Sequence, residues 1–359
     1  MRFGVIALTL ALFVQPALAA DAPPPNTQAA KSRLTALMEA ELARFPSRSG
    51  FYVKNLATGE EASVRGTDHF ESASTIKLAT LVLAYRMAEA GQLNLSERIV
   101  LRPEDMRGGS GIFRFKGPGI NPSVRDLLME MVITSDNTAT DLMMAKVGGT
   151  AKIVEFLRAN GFTAMRPNFT TFEYFRGIYA TLDPKYATLG PEDVFALCCA
   201  QTVLPSFPAP NPARQKLMQE VQAHPNGANL NKALLERQKD EKAWFGIATP
   251  AEMGRLLEGI EKGTLAGPAS SDEMRKMLRN TLSSGTAVAS ALKLYISPPI
   301  GHKTGDTTAT TNDVGIVYAK SGPIVMASYN NDIVGPTGTV SEMVGRVARL
   351  VLEYFEGAS

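Results

Sequence analysis

The sequence predicts an α/β (α+β) fold in which one antiparallel sheet of about five strands is assembled from both ends of the chain. Three observations predict it. Short apolar runs bounded by turn residues occur between residues 51 and 65 and again between 300 and 329. Helix-period patterns fill most of the chain between them. An amphipathic pattern stands near each end, ready to cover the sheet. The sheet part is expected over residues 27–72 and 292–359, with an all-helical part inserted over 73–291. Residues 20–359 then form one domain.

The N-terminus reads as a targeting segment. Met1-Arg2, the apolar run Phe3 to Val14 and the small residues Ala17-Leu18-Ala19 predict a secretory signal peptide over residues 1–19, cut before Ala20. About a dozen apolar residues are too few to span a bilayer. No cysteine follows to carry a lipid, so no membrane anchor is expected after cleavage, and a periplasmic or secreted location is expected.

Asp21 to Asn26 holds three consecutive prolines and reads as a linker. From Thr27 to Phe45, Leu34, Leu37, Met38 and Leu42 recur at helical spacing. Phe51–Leu56 and Glu61–Arg65 flank Ala57-Thr58-Gly59-Glu60 as a hairpin. Ser74 to Ala90 is a helix closed by Gly91. Helices follow over 124–133, 137–147 and 150–160. Phe162 to Gly190 has no clear period and predicts a long ordered loop. A helix from Pro191 to Leu204 precedes a proline cluster at 205–212. Residues 214–242 show no readable pattern, and the long region from Pro205 to Phe245 receives no role. Thr249-Pro250 opens a helix to about Lys262, and another spans 271–280. Ile300–Lys303, Val314–Ala319 and Ile324–Tyr329 are strands, and Thr339 to Phe355 is a closing helix.

Composition excludes several classes. At 45% hydrophobic and 20% charged, the chain can build a globular core. A net charge of +2, with no block of like charges, argues against a nucleic-acid partner or a polybasic membrane patch. Cys198 and Cys199 are neighbours, which makes neither a long-range disulfide nor a zinc site. Two buried thiols are expected there.

The helix at Ser74 carries the chemical signal. Its text, S-T-I-K-L-A-T-L-V-L-A-Y, is apolar on every side after Lys77, which predicts a buried helix. Ser74 and Lys77 lie three apart and share a face. A buried lysine needs a partner or a lowered pKa, and a neutral amine beside a hydroxyl is a base beside a nucleophile. The structural alternative is that Ser74 caps the helix and Lys77 snorkels to water. Ser135-Asp136-Asn137 opens another helix, which cap chemistry alone would explain. Lys303-Thr304-Gly305 ends a strand, where the glycine lets another backbone or a ligand approach closely. Other arrangements lack support. There is no G-x-S-x-G, no H-E-x-x-H, and His69, His224 and His302 stand in no supporting motif.

S-T-I-K, S-D-N and K-T-G in this order resemble the serine β-lactamase and penicillin-binding-protein superfamily, most closely the class A β-lactamases. T-A-T-D-L-M-M after S-D-N and N-D-V-G-I-V-Y after K-T-G agree with it. The resemblance implies Ser74 as acylated nucleophile and Lys77 as its base. It implies Ser135 as proton donor to the leaving nitrogen and Asn137 as partner of the substrate amide and of Lys77. Lys303 and Thr304 would meet the substrate carboxylate, with Gly305 beside them in the substrate-binding strand and Lys303 depressing the Lys77 pKa. The backbone N–H groups of Ser74 and Asp306 would form an oxyanion hole. No metal or cofactor is implied. The expected partner is a small-molecule β-lactam or a cell-wall peptide-like substrate, and a monomer is expected.

Two departures stand out. Class A enzymes resemble one another in an E-x-x-L-N loop that positions the deacylating water, and none occurs in 162–190. Glu173, in T-T-F-E-Y-F, is the only glutamate there and is the expected substitute; a plain surface glutamate is the alternative. Asp306 puts a carboxylate after K-T-G, where it would repel a substrate carboxylate unless turned away. Phe113 is a candidate for the cleft wall or the core. The activity implied is β-lactam hydrolysis through an acyl-enzyme. The alternatives are a D-alanyl-D-alanine peptidase or esterase with the same acylation machinery, and a penicillin-binding protein acylated without turnover.

Overall fold

A computed structural model describes residues 26–199, 210–224, 230–282 and 291–357. The expected signal peptide, most of the proline linker, the end of the 191–204 helix and most of the 205–212 cluster lie outside these residues. In chain order the first elements are α1 (Asn26–Leu42), β1 (Arg48–Asn55), β2 (Glu61–Val64), β3 (Phe70–Glu71), a 3₁₀ turn Ala73–Ile76, and α2 (Lys77–Glu89). Then come α3 (Phe113–Lys116), α4 (Val124–Ile133), α5 (Asn137–Lys146), α6 (Gly149–Ala159), β4 (Arg166–Pro167) and α7 (Thr171–Leu182). They are followed by α8 (Pro191–Cys199), α9 (Pro212–Ala223), α10 (Leu230–Gln238), β5 (Gly246–Ala248), α11 (Pro250–Lys262) and α12 (Pro268–Arg279). The chain closes with β6 (Ile300–Thr307), β7 (Thr310–Ala319), β8 (Gly322–Asn331) and α13 (Thr337–Glu356).

The main sheet is antiparallel, with order β2-β1-β8-β7-β6, so the N-terminal hairpin joins the three C-terminal strands as the sequence predicts. Alternation along each strand sends its residues to two layers. Phe51, Val53, Val317, Ile324 and Met326 pack on one side against Leu34, Met38 and Leu42 of α1 and Val340, Val344, Val347 and Val351 of α13. Tyr52, Val314, Ile316, Val325 and Ala327 face the other side, against Met253, Leu256, Leu257 and Ile260 of α11. The apolar stripe of α13 follows i, i+4, i+7, i+11, and each buried valine contributes roughly 1.5–3 kcal/mol by leaving water.

The helical part is built around α2, whose residues Lys77 to Tyr85 are all buried. A helix apolar all round needs neighbours on every side, and α2 belongs to one core with α4, α5, α6, α11 and α12. A second small sheet, β3-β5-β4, joins the segment before Ser74 to residues 246–248 and 166–167.

The structure differs from the sequence reading at 162–190. This segment is not one long loop, because α7 fills its middle. The cause is a capping box: Thr170 Oγ1 accepts from Glu173 N–H, and the Glu173 carboxylate accepts from Thr170 N–H at 2.8 Å. Tyr174, Ile178 and Tyr179 then form a buried stripe. The 214–242 stretch likewise resolves into parts of α9 and α10. Phe113 takes the core place of its two alternatives and is buried.

Candidate active site

Strained backbone presents the first residue. Ala73 has φ +44°, a left-handed value for a residue with a Cβ, immediately before Ser74. The turn is held from below by Glu71. Its fully buried carboxylate accepts from Ala73 N–H at 2.8 Å and Phe245 N–H at 2.9 Å, with Gly246 N–H at 3.4 Å. Burial raises the Glu71 carboxyl to about 7, against the pull of those three N–H donors. One carboxylate thus ties the Ser74 turn to β5. Glu71 escaped the sequence analysis because F-E before S-A-S carries no signal of burial.

Lys77 enters α2 one turn after Ser74 and is 1% exposed. Its Nζ lies 2.7 Å from Ser135 O, 2.8 Å from Asn137 Oδ1 and 3.2 Å from Ser135 Oγ. It does not snorkel. Burial, and then the positive charge of Lys303, hold its pKa well below the usual lysine value, opposed by Asp136 and Asp141. A neutral amine has two N–H donors, and the two shorter contacts take them. The third contact, to the Ser135 hydroxyl, is the longest of the three.

Ser135 itself has φ +57°. It is fixed by its neighbours: Ser110 Oγ donates to Ser135 O at 2.8 Å, and Asp136 caps α5 by accepting from Ala139 N–H at 2.9 Å. The other Asp136 oxygen accepts from Phe113 N–H at 2.8 Å, which anchors the 109–113 loop. Burial raises the Asp136 carboxyl to about 6. Asn137 donates from Nδ2 to Gly108 O at 2.8 Å, leaving its Oδ1 for Lys77.

The third motif arrives on β6. Gly305 is where the strand touches the Ser74 turn: a Cβ built on it would lie 2.7 Å from Ser72 O and 2.9 Å from Ser74 N. The close approach predicted for this glycine is therefore to backbone. Gly305→Ala should force the strand and turn apart. The expected result is a loss of about 1–3 kcal/mol of stability and, because small displacements of reacting groups are costly, a loss of acylation on the order of 10²-fold. Thermal melting and adduct formation measure the two. Full retention of acylation contradicts the assigned contact.

Lys303 is fully buried and donates to Thr304 O at 2.8 Å. Burial lowers its pKa to about 8, opposed by Asp306 and Asp313. Asp306 is raised to about 6 by burial, with Thr311 Oγ1 donating to its carboxylate at 2.8 Å. Asp306 is among the residues that line the cavity described next.

Ser74, Ser135, Asn137, Thr304 and Asp306 line one cavity of about 640 Å³, with Ser110, Arg114, Thr171, Tyr174 and Phe175 among its other walls. Lys77 and Lys303 stand buried behind this lining. Glu173 is elsewhere. It is exposed, both its capping bonds go to Thr170, and it is not among the lining residues. The part of α7 that reaches the cavity is Thr171, whose N–H and Oγ1 both bond Asp141 Oδ1 at 2.7 Å, followed by Tyr174 and Phe175. Helical geometry explains the swap: the residue that completes a capping box points back at the N-cap. The pattern Thr170-x-x-Glu173 was the available signal. Glu173→Ala should therefore cost about 0.5–2 kcal/mol of stability and leave the lifetime of any Ser74 adduct as in the wild type. A prolonged lifetime by mass spectrometry would restore Glu173 to the mechanism.

Among the described residues no group of three or more His, Cys, Asp or Glu is arranged to hold a metal, and no helix is long and apolar enough to cross a membrane.

The sheet, the inserted helices and the convergence of S-x-x-K, S-D-N and K-T-G define a class A β-lactamase-like serine hydrolase. The comparisons agree. Residues 29–355 match the profile of the beta-lactamase enzyme family, and the chain belongs to that family. It is 32% identical to β-lactamase L2 of Stenotrophomonas maltophilia over 143 residues, which cover 40% of this chain and 46% of that one, under half the length of that relative. It is 20% identical to β-lactamase VEB-1 of Pseudomonas aeruginosa over 340 residues, 92% of each chain. Among solved structures, a β-lactamase of Sphaerobacter thermophilus aligns with TM-score 0.64 and 20% identity, covering 90% of this chain and 97% of that one. A point mutant of PBP-A, in an acyl-enzyme complex with penicillin G, aligns with TM-score 0.63 and 22% identity over 91% and 97%.

Proposed function

We propose that the protein is acylated at Ser74 by β-lactams and by D-alanyl-D-alanine-type cell-wall peptides, and releases the acyl group slowly. Neutral Lys77 takes the Ser74 proton as the oxygen attacks the amide carbonyl. The N–H groups of Ser74 and Asp306 hold the oxyanion. The proton passes from Lys77 to Ser135 and on to the leaving nitrogen, along the 3.2 Å contact. Lys303 and Thr304 receive the substrate carboxylate, and Asn137 the amide on its acyl side. A leader at residues 1–19 would deliver the chain to where such peptides occur.

One observation carries the slow release: α7 offers the cavity Thr171, Tyr174 and Phe175, while its carboxylate, Glu173, faces solvent. No base from that wall activates a second water. Intact-protein mass spectrometry after mixing with benzylpenicillin should show a stoichiometric adduct, absent in Ser74→Ala, that persists over many minutes. An adduct that vanishes as penicillin is consumed contradicts slow release, and no adduct contradicts acylation. Rapid turnover is the second reading, and Asp306 favours it, a residue of the cavity lining whose carboxyl burial raises to about 6.

A further inference from the structure

The cavity holds a cation that the acylation steps do not use. Arg114, on α3, lines the same cavity as Ser74 and Asn137. Its Nε is buried and has no hydrogen-bond partner, and the guanidinium has no carboxylate within ion-pair range among the described residues. It is nevertheless held in place, because its guanidinium carbon lies 4.4 Å from the centroid of the Phe115 ring. Stacking of this kind orients the planar donor fork before a ligand arrives. Phe115 is 37% exposed beside it and presents an aromatic surface.

Arg114 belongs to a particular wall. Gly108 O accepts from Asn137 Nδ2, Ser110 Oγ bonds Ser135 O, and Phe113 N–H bonds Asp136, so the 108–114 segment is fastened along the S-D-N motif. That wall is where the proposed acylation, on which this inference rests, seats the acyl side of the substrate. The opposite strand carries Lys303 with Asp306 beside it, so the carboxylate on the leaving-group side meets a field of mixed sign.

We infer that Arg114 selects substrates bearing a second carboxylate on the acyl side. A guanidinium without an acidic partner, stacked and partly desolvated, forms a charge-assisted bidentate pair with a carboxylate. A neutral side chain leaves the buried Nε without a partner.

The test compares benzylpenicillin with its analogue carrying a carboxylate on the side-chain α-carbon. Acylation rates of Ser74 are read by intact mass for wild type, Arg114→Gln and Arg114→Lys. The expected result is that Arg114→Gln lowers the ratio of rates, carboxylated over neutral, about tenfold, and that Arg114→Lys, which keeps the charge but loses the planar fork, falls between wild type and Arg114→Gln. An equal loss on both substrates, or an unchanged ratio, overturns the inference while leaving the acylation reading intact. If neither compound acylates the protein, the acylation reading fails, and the subsite is judged by binding alone. Phenylmalonate should then bind wild type more tightly than phenylacetate by calorimetry, with the preference lost in Arg114→Gln; equal binding overturns it.

Discussion

Lys77→Ala should reduce the rate of acylation at Ser74 by about 10²–10⁴-fold, the range that a positioned general base supplies. The loss is expected in the acylation step itself, because Lys77 is buried behind the cavity and touches Ser135 and Asn137. The readout is the single-turnover rate of adduct formation with benzylpenicillin, followed by intact mass. Melting serves as a control, since removing Nζ takes the close donor from Asn137 Oδ1 and leaves Ser135 O with Ser110 Oγ alone. A folded Lys77→Ala protein that is acylated at the wild-type rate removes the lysine from the mechanism.

The pH dependence has a definite sign. Acylation needs the neutral amine, so its rate rises with pH as Lys77 loses its proton. Burial is the first cause of the lowered pKa and the Lys303 charge the second. Lys303→Met deletes the second cause, so the Lys77 pKa rises and the acid limb of the acylation profile moves to higher pH. Weaker substrate binding alone would scale the profile without moving the limb. The two effects of this substitution are therefore separable.

What the sequence revealed followed the strength of local signals. The apolar runs of β7 and β8 and the all-round apolar text of α2 were legible because an unbroken apolar run reports burial directly. Lys77 was legible because a cation inside an apolar run is a conflict that demands a partner. Four features were not. The capping box of α7 was obscured by aromatic residues with no clear period. The strand β5 is only three residues long and exists because β3 and β4 pair with it. Glu71 and Arg114 look like ordinary charged residues, since their environments are built by segments far away: Phe245 in one case, the S-D-N wall in the other. Long-range burial of a single polar group leaves no local trace.

Glu71→Ala is expected to be among the most damaging single changes outside the cavity lining. It leaves the N–H groups of Ala73, Phe245 and Gly246 without an acceptor in a fully buried place. Each orphaned donor costs about 1–3 kcal/mol, so a loss on the order of 3 kcal/mol or more is expected. The left-handed turn at Ala73 loses its clamp at the same time, so acylation at Ser74 should fall as well. The wild-type carboxyl also predicts a pH dependence of stability. Its folded pKa, about 7, lies above the 4.5 of a free carboxyl. Stabilisation from that shift is complete below pH 4.5 and is lost as the pH rises through 7. Asp136 and Asp306, both raised to about 6, add slopes of the same sign. The melting temperature should therefore decline from pH 5 to 7, and Glu71→Gln should flatten that decline. A Glu71→Gln protein with an unchanged slope shows that the carboxyl is ionised throughout the range, held by its three donors. The clamp on the Ser74 turn would then be permanent rather than proton-dependent.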